Sequence, residues 1–184
     1  MDPQFVLRRA KKTDVDALSK FYQKVFHETF VEDFSIPYPE EDLQSYYHSS
    51  SSPESFAANL NNSRQAVWLI EDQTNNQIVA FALVGPCHVD DLPHPDVRTN
   101  EDGLIQRLYV QRDRRSHGFG RQLMDVILPW FEEHYSQRPI WLNVWSGNFK
   151  AQRFYIHYGF EIVGEFEYGV GQWKDREFIM KRQA

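Results

Sequence analysis

The stretch Arg115-Ser116-His117-Gly118-Phe119-Gly120 lies between an apolar run and an amphipathic pattern of helical period. The apolar run from Leu104 to Val110 predicts a strand that leads through this turn into a helix. The two glycines allow backbone N–H groups to turn inward, and a helix N-terminus adds a partial positive charge. The local pattern therefore predicts a binding site for a phosphate or pyrophosphate group.

The charge around this turn supports the phosphate interpretation. Residues 107–121 contain five arginines and one acid, in a chain whose net charge is −6. The turn has neither the Gly-Lys-Ser/Thr of a Walker loop nor the G-x-G-x-x-G spacing of a dinucleotide fold. It therefore favours a different phosphorylated ligand, and the alternative is a flexible turn without a ligand.

Composition limits the class of protein. The 184 residues predict one domain spanning 1–184, and 41% hydrophobic residues exclude a disordered chain. No apolar run approaches the 18 residues that a membrane span requires, and the first residues do not resemble a secretion signal. The pI near 5.6 argues against nucleic acid as a partner. The single cysteine, Cys87, cannot form an internal disulfide, which suits a reducing cytoplasm.

Two blocks of the sequence resemble the GNAT N-acetyltransferase superfamily. The first is Leu108-Tyr109-Val110 followed, after four residues, by Arg-x-x-Gly-x-Gly. The second contains these residues in the family's order and at about its spacing: Trp141, Leu142, Asn143, Val144, Trp145, Asn148, Ala151, Phe154, Tyr155, Gly159 and Phe160. The resemblance covers roughly residues 104–165. It implies an α+β fold, with a mixed, mostly antiparallel central sheet flanked by helices, and acetyl-CoA as cosubstrate.

The same resemblance implies roles for individual residues. Backbone groups of Leu108 and Val110 would pair with the pantetheine arm of the coenzyme and polarise the thioester carbonyl. Asn148 would hydrogen-bond the same arm, with a simple helix N-cap as the alternative. Tyr155 would protonate the leaving thiolate, with a core aromatic residue as the alternative. The residues that would hold the pyrophosphate through backbone amides or added charge are Arg115, Ser116, His117, Gly118, Phe119, Gly120 and Arg121.

One position departs from the family pattern. Many relatives have a glutamate on the strand before the glycine turn, where it acts as a general base, but this chain has Gln106. An amide cannot take a proton, so another base is required. The candidates are Glu28, Glu71, Glu101 or a water molecule that relays the proton to bulk solvent.

Charge segregation predicts the acceptor. Between Val25 and Ser63 there are seven acids and no lysine or arginine, and the loop from Pro86 to Val97 is similarly acidic. These acids, with neighbouring aromatic residues, would attract a cation, whereas the alternative is a solvated acidic surface. The predicted acceptor-binding residues are Glu28, Glu40, Glu41 and Asp42.

Within this superfamily, the chain resembles PaiA-type spermidine/spermine acetyltransferases. The matching segments are His27-Glu28-Thr29-Phe30, Trp141 to Trp145, and Phe178-Ile179-Met180-Lys181. This resemblance implies a small polyamine as acceptor. A protein N-terminus, a lysine or an aminoglycoside remain alternatives, as does a non-catalytic coenzyme A sensor. The histidines show no metal-ligand spacing, so no metal is expected, and a homodimer is left open.

Overall fold

A computed structural model describes residues 4–184. Its centre is a seven-stranded sheet with the spatial order β1-β2-β3-β4-β5-β7-β6. All neighbouring strands are antiparallel except β4 and β5, which run parallel. The predicted mixed, mostly antiparallel α+β fold is therefore confirmed. The strands are β1 (Phe5–Arg9), β2 (Ala66–Asp72), β3 (Gln77–Pro86), β4 (Gly103–Val110), β5 (Ile140–Trp145), β6 (Glu161–Val170) and β7 (Trp173–Arg182).

Helices cover both faces of the sheet because both faces are apolar. The helices are α1 (Val15–Phe26), α2 (Glu40–Ser50), α3 (Pro53–Asn61), α4 (Phe119–His134) and α5 (Phe149–His157), and α1 continues into a π-helix, His27–Asp33. Leu123 and Ile127 of α4 pack on one face, against strand residues such as Leu142. Leu18 and Tyr22 of α1 pack on the other. The sheet thus separates two cores.

Three local sequence patterns differ from the structure. The pattern Thr13-x-x-Asp16 is typical of a capping box, but α1 begins at Val15 after a short 3₁₀ turn, in which Asp14 accepts a 2.7 Å hydrogen bond from the Lys11 amide. The prolines Pro37 and Pro39 favour an irregular segment, but helix α2 begins directly after them. Helix α4 does not end at Pro129, because the buried residues on both sides of the proline hold the helix against the sheet.

None of the helices within residues 4–184 combines the length and the apolar character needed to cross a bilayer.

Candidate active site

The site is a cleft that opens where β4 and β5 separate. These strands pair only at Gly103–Ile140 and Leu104–Trp141. Beyond that point β5 stays paired with β7 along its other edge, while its edge towards β4 has no strand partner within residues 4–184. The gap between the strands is a cleft of about 790 Å³. The edge of β4 that faces it has no strand partner and offers its backbone N–H and C=O groups to a ligand.

A β-bulge shapes the wall of this cleft at Gln106. Leu83 pairs with Arg107 and Val84 pairs with Ile105, which leaves Gln106 without a partner on β3. A bulge bends a strand and re-aims its side chains. Gln106 consequently lines the cleft, as does the following stretch to Val110.

The glycine turn forms one end of the cleft. Gly118 has φ of +79° and precedes the first residue of α4, and no side chain caps this helix. The first N–H groups of a helix have no partner within it, so those of α4 are available to an anion. Ser116 also has a positive φ, +71°, a conformation that is uncommon outside glycine. Gly120 lies under Phe154, where an added Cβ would approach the ring to 3.3 Å.

The arginines near this turn have different environments. Arg115 donates hydrogen bonds to Asp33 at 2.6 Å and to Thr29 at 2.8 Å, both on the π-helix, whereas Arg121 is exposed. Arg115, Asp33 and Thr29 therefore form a contact between the turn and the π-helix. Arg115 and Arg121 line the cleft, but His117 does not, because its ring contacts the carbonyl groups of the turn.

Helix α5 contributes Tyr155, and Asn148 lies at its N-cap. The Asn148 side chain accepts a 3.0 Å hydrogen bond from the Ala151 amide, so the predicted helix cap is confirmed. Its side-chain N–H₂ group donates no hydrogen bond within residues 4–184. Tyr155 packs edge-on against Phe154 and Phe160. Its hydroxyl makes no hydrogen bond within residues 4–184, and burial raises the pKa of the phenol. The phenol therefore keeps its proton at neutral pH.

Two buried carboxyl groups line the opposite wall, and the sequence reasoning missed both. Asp175 and Glu177 on β7 are only 5% and 6% exposed. Asp175 accepts hydrogen bonds from the Tyr38 hydroxyl and from Trp173 Nε1, and Glu177 Oε2 accepts one from Asn143 Nδ2. Burial raises the pKa of both groups, that of Glu177 to about 7. Strand alternation is the sequence signal that could have identified them. It places both acids on the same face of β7 as an apolar residue, Ile179.

Aromatic side chains close the cleft on this side of the sheet. The hydroxyls of Tyr22 and Tyr46 are 2.6 Å apart, and that of Tyr168 is 3.3 Å from Tyr46. Arg107 stacks over the Tyr22 ring at 4.2 Å and donates a hydrogen bond to the carbonyl of Ser50. Phe30 and Phe34 also line the cleft.

The acids predicted to bind the acceptor lie elsewhere. Glu40, Glu41 and Asp42 form the first turn of α2, where the positive end of the helix dipole favours them, and Asp42 accepts a hydrogen bond from the Gln172 amide. Glu28 is paired weakly with Lys24, at 3.8 Å. None of these four acids is among the residues that line the cleft.

The alternative bases considered from the sequence also lie outside the cleft. Glu71 on β2 is paired with Arg8 at 2.7 Å, and Glu101 is exposed beside Arg138. Within the part of the chain that the structure describes, no group of three or more His, Cys, Asp or Glu side chains could hold a metal ion.

Comparison with known families identifies the class of protein. The model of the acetyltransferase (GNAT) family matches residues 24–160 of the 184. The chain therefore belongs to the GNAT family of acetyl-CoA-dependent N-acetyltransferases.

Individual relatives refine this placement. A probable spermine N(1)-acetyltransferase of Bacillus subtilis subsp. natto is 24% identical over 95 residues, which cover 50% of this chain and 57% of the relative. The matched segment thus spans little more than half of that protein. An uncharacterized N-acetyltransferase of Mycobacterium tuberculosis is 26% identical over 143 residues, covering 78% and 83% of the two chains.

Solved structures share the fold. The PaiA N-acetyltransferase of Thermoplasma acidophilum, in complex with coenzyme A, has a TM-score of 0.73 at 15% identity, covering 98% of this chain and 99% of that one. The ribosomal-protein-S18-alanine N-acetyltransferase of Escherichia coli has a TM-score of 0.65 at 18% identity, covering 97% and 93%. The first neighbour and the spermine acetyltransferase together support the resemblance to PaiA-type enzymes.

Proposed function

We propose that this protein transfers the acetyl group of acetyl-CoA to a primary amine of a small cationic molecule, with a polyamine such as spermidine or spermine as first choice. The observation that carries the proposal is the cleft itself. It joins an uncapped helix N-terminus and an unpaired strand edge at one end to buried carboxyl groups at the other.

The coenzyme end suits an anionic, extended ligand. The pyrophosphate would bind the N–H groups of the turn 115–120 and of the first turn of α4, with Arg121 adding charge. The unpaired edge of β4 at Leu108 and Val110 matches the hydrogen-bonding needs of the amide groups in pantetheine, and the Asn148 side chain can add a hydrogen bond from α5. Arg115 would have to exchange Asp33 for the phosphate.

The acceptor end suits a cation held among aromatic rings. Asp175 and Glu177 supply negative charge where water is scarce, and electrostatic attraction is stronger there than at the surface. Arg107 offsets part of this charge, but its guanidinium is held against the Tyr22 ring and the Ser50 carbonyl. The relative that is a probable spermine acetyltransferase makes a polyamine the first compound to test.

The acids that the sequence predicted as acceptor contacts would act on the acceptor only at longer range. Glu28, Glu40, Glu41 and Asp42 do not line the cleft, so they would draw a cation towards its mouth without contacting the reacting amine. Such an effect weakens with salt, because the Debye length is about 8 Å at physiological ionic strength.

Tyr155 is proposed as the general acid. Its protonated hydroxyl faces the cleft without an internal partner, as a donor to a departing thiolate must. Replacing Tyr155 with phenylalanine should lower turnover by about 10²-fold or more while leaving coenzyme A affinity unchanged. Tyr158→Phe is the matched control, because Tyr158 lies just after the same helix but does not line the cleft.

The deciding experiment is a thiol-release assay with acetyl-CoA against a panel of amines. The panel should contain spermidine, spermine, a peptide N-terminus, a lysine peptide and an aminoglycoside. Spermidine or spermine should give the highest kcat/KM at low salt. A higher kcat/KM for another member would replace the polyamine as acceptor. Coenzyme A binding without transfer to any amine would instead indicate a sensor.

A further inference from the structure

The attacking amine must lose a proton before it can react. Primary amines such as that of lysine have a pKa near 10.4, so about one molecule in 10³ is neutral at pH 7. A general base inside the cleft lowers this penalty. Gln106, which lines the cleft at the bulge of β4, cannot act as that base.

Glu177 has the geometry that this task requires. It lies on β7 directly beside Trp145 of β5, so its side chain reaches the wall of the gap between β4 and β5. Asn143 donates a hydrogen bond to Oε2, whereas Oε1 has no hydrogen-bond partner within residues 4–184. One oxygen is therefore held in place and the other is free to accept a proton from a ligand.

We propose that Glu177 is the general base of the transfer and that Asn143 is a positioning residue that holds its carboxylate. This inference rests on the proposed function. Glu177 Oε1 takes a proton from the acceptor ammonium, and the freed electron pair of nitrogen forms the new N–C bond with the acetyl carbon. The C–S bond of the thioester breaks, the sulfur receives the proton of the Tyr155 hydroxyl, and the nitrogen releases its second proton to give the neutral amide. That second proton returns through solvent to the Tyr155 oxygen, and Glu177 passes its proton to bulk solvent.

The surroundings of Glu177 suit a base that works at neutral pH. Burial, with a smaller contribution from the charge of Asp175, raises its pKa to about 7, while the hydrogen bond from Asn143 acts in the opposite direction. No lysine, arginine or histidine within residues 4–184 forms an ion pair with it. A carboxylate with a pKa near 7 accepts a proton more readily than an exposed one.

The other ionisable groups nearby do not compete for this role. Asp175 has both carboxylate oxygens engaged, by Tyr38 and Trp173. Tyr38 and two further tyrosines that the charge of Glu177 influences, Tyr109 and Tyr168, are held protonated because burial raises their pKa values. Of the two carboxyl groups on this wall, only that of Glu177 therefore has an oxygen without a hydrogen bond within residues 4–184.

The test combines kinetics with a direct titration. The variants are Glu177→Gln, which keeps the size of the side chain, and Glu167→Gln as a matched control, because Glu167 is exposed on the neighbouring strand β6. With spermine as acceptor, Glu177→Gln should lower kcat/KM at pH 7 by about 10²-fold. The deficit should shrink as the pH approaches 10, because solution then supplies the neutral amine. Coenzyme A affinity should not change.

The direct readout uses the protein without substrates. Infrared difference spectroscopy should detect one carboxyl group that titrates near pH 7, and Glu177→Gln should abolish that signal while Glu167→Gln retains it. Asn143→Ala keeps the carboxyl group but removes its hydrogen bond, so the titration and the acidic limb of the kcat/KM profile should both move to higher pH. This variant also serves if Glu177→Gln does not fold.

Two results would overturn the inference. One is a Glu177→Gln enzyme whose kcat/KM and pH profile match those of the Glu167→Gln control. The other is an acidic limb that Asn143→Ala leaves in place. Failure of the wild-type protein to acetylate any amine is a different outcome, because it would overturn the proposed function itself.

Discussion

The buried carboxyl group of Glu177 should make the stability of this protein depend on pH. Its pKa in the folded chain is about 7, against an ordinary value of 4.5. Between these two values the unfolded chain has released the proton while the folded chain still holds it. Folding in this pH range therefore takes up one proton from solution, and this uptake becomes less favourable as the pH rises. The free energy of unfolding therefore falls as the pH rises from about 4.5 to 7.

The magnitude follows from the two pKa values. Each tenfold difference in proton affinity corresponds to about 1.4 kcal/mol, so the full effect is about 3 kcal/mol above pH 7. Glu177→Gln removes the charge but keeps an oxygen that can accept the hydrogen bond of Asn143. The variant and the wild-type protein should be equally stable near pH 4, and the variant should be about 3 kcal/mol more stable at pH 8.

Urea unfolding followed by circular dichroism at several pH values measures this difference. The Glu167→Gln control should follow the wild-type curve throughout, because its side chain is exposed. Parallel curves for Glu177→Gln and wild type between pH 4 and 8 would refute the reasoning. Such a result would mean that water reaches the carboxyl group and that burial costs little.

Two further predictions concern the ends of the cleft. Gly118→Val should weaken coenzyme A binding at least tenfold by calorimetry, because a β-branched residue is strained at φ of +79°, and Gly118→Ala should lose less. An unchanged affinity in the valine variant would remove the turn from the coenzyme site. Neutralising Glu40 and Glu41 together should raise the KM of spermine at low salt by less than Asp175→Asn does, because only Asp175 lines the cleft. A larger effect of the double variant would restore the first turn of α2 as the main acceptor contact.

The end of the cleft that we propose for the coenzyme could be predicted because its determinants are local. A strand, a turn with two glycines and a helix follow each other within residues 104–134, so neighbouring residues alone define the helix N-terminus at Gly118. The cap at Asn148 is equally local, since it bonds the amide three residues later. Local patterns failed where tertiary packing decided the outcome, as at α2 and at Pro129.

The acceptor end depends on contacts between residues that are distant in the sequence. Strand β5 pairs with β7 along its length but with β4 at only two positions, and this unequal pairing opens the cleft. It also brings Glu177 to Asn143, 34 residues earlier in the chain, and places both on the wall of the cleft. The amino-acid sequence by itself predicted the glycine turn and the helix N-terminus that we propose as the site of the coenzyme phosphates. Only the tertiary structure decided which carboxyl group is buried, because desolvation depends on every element that packs around it.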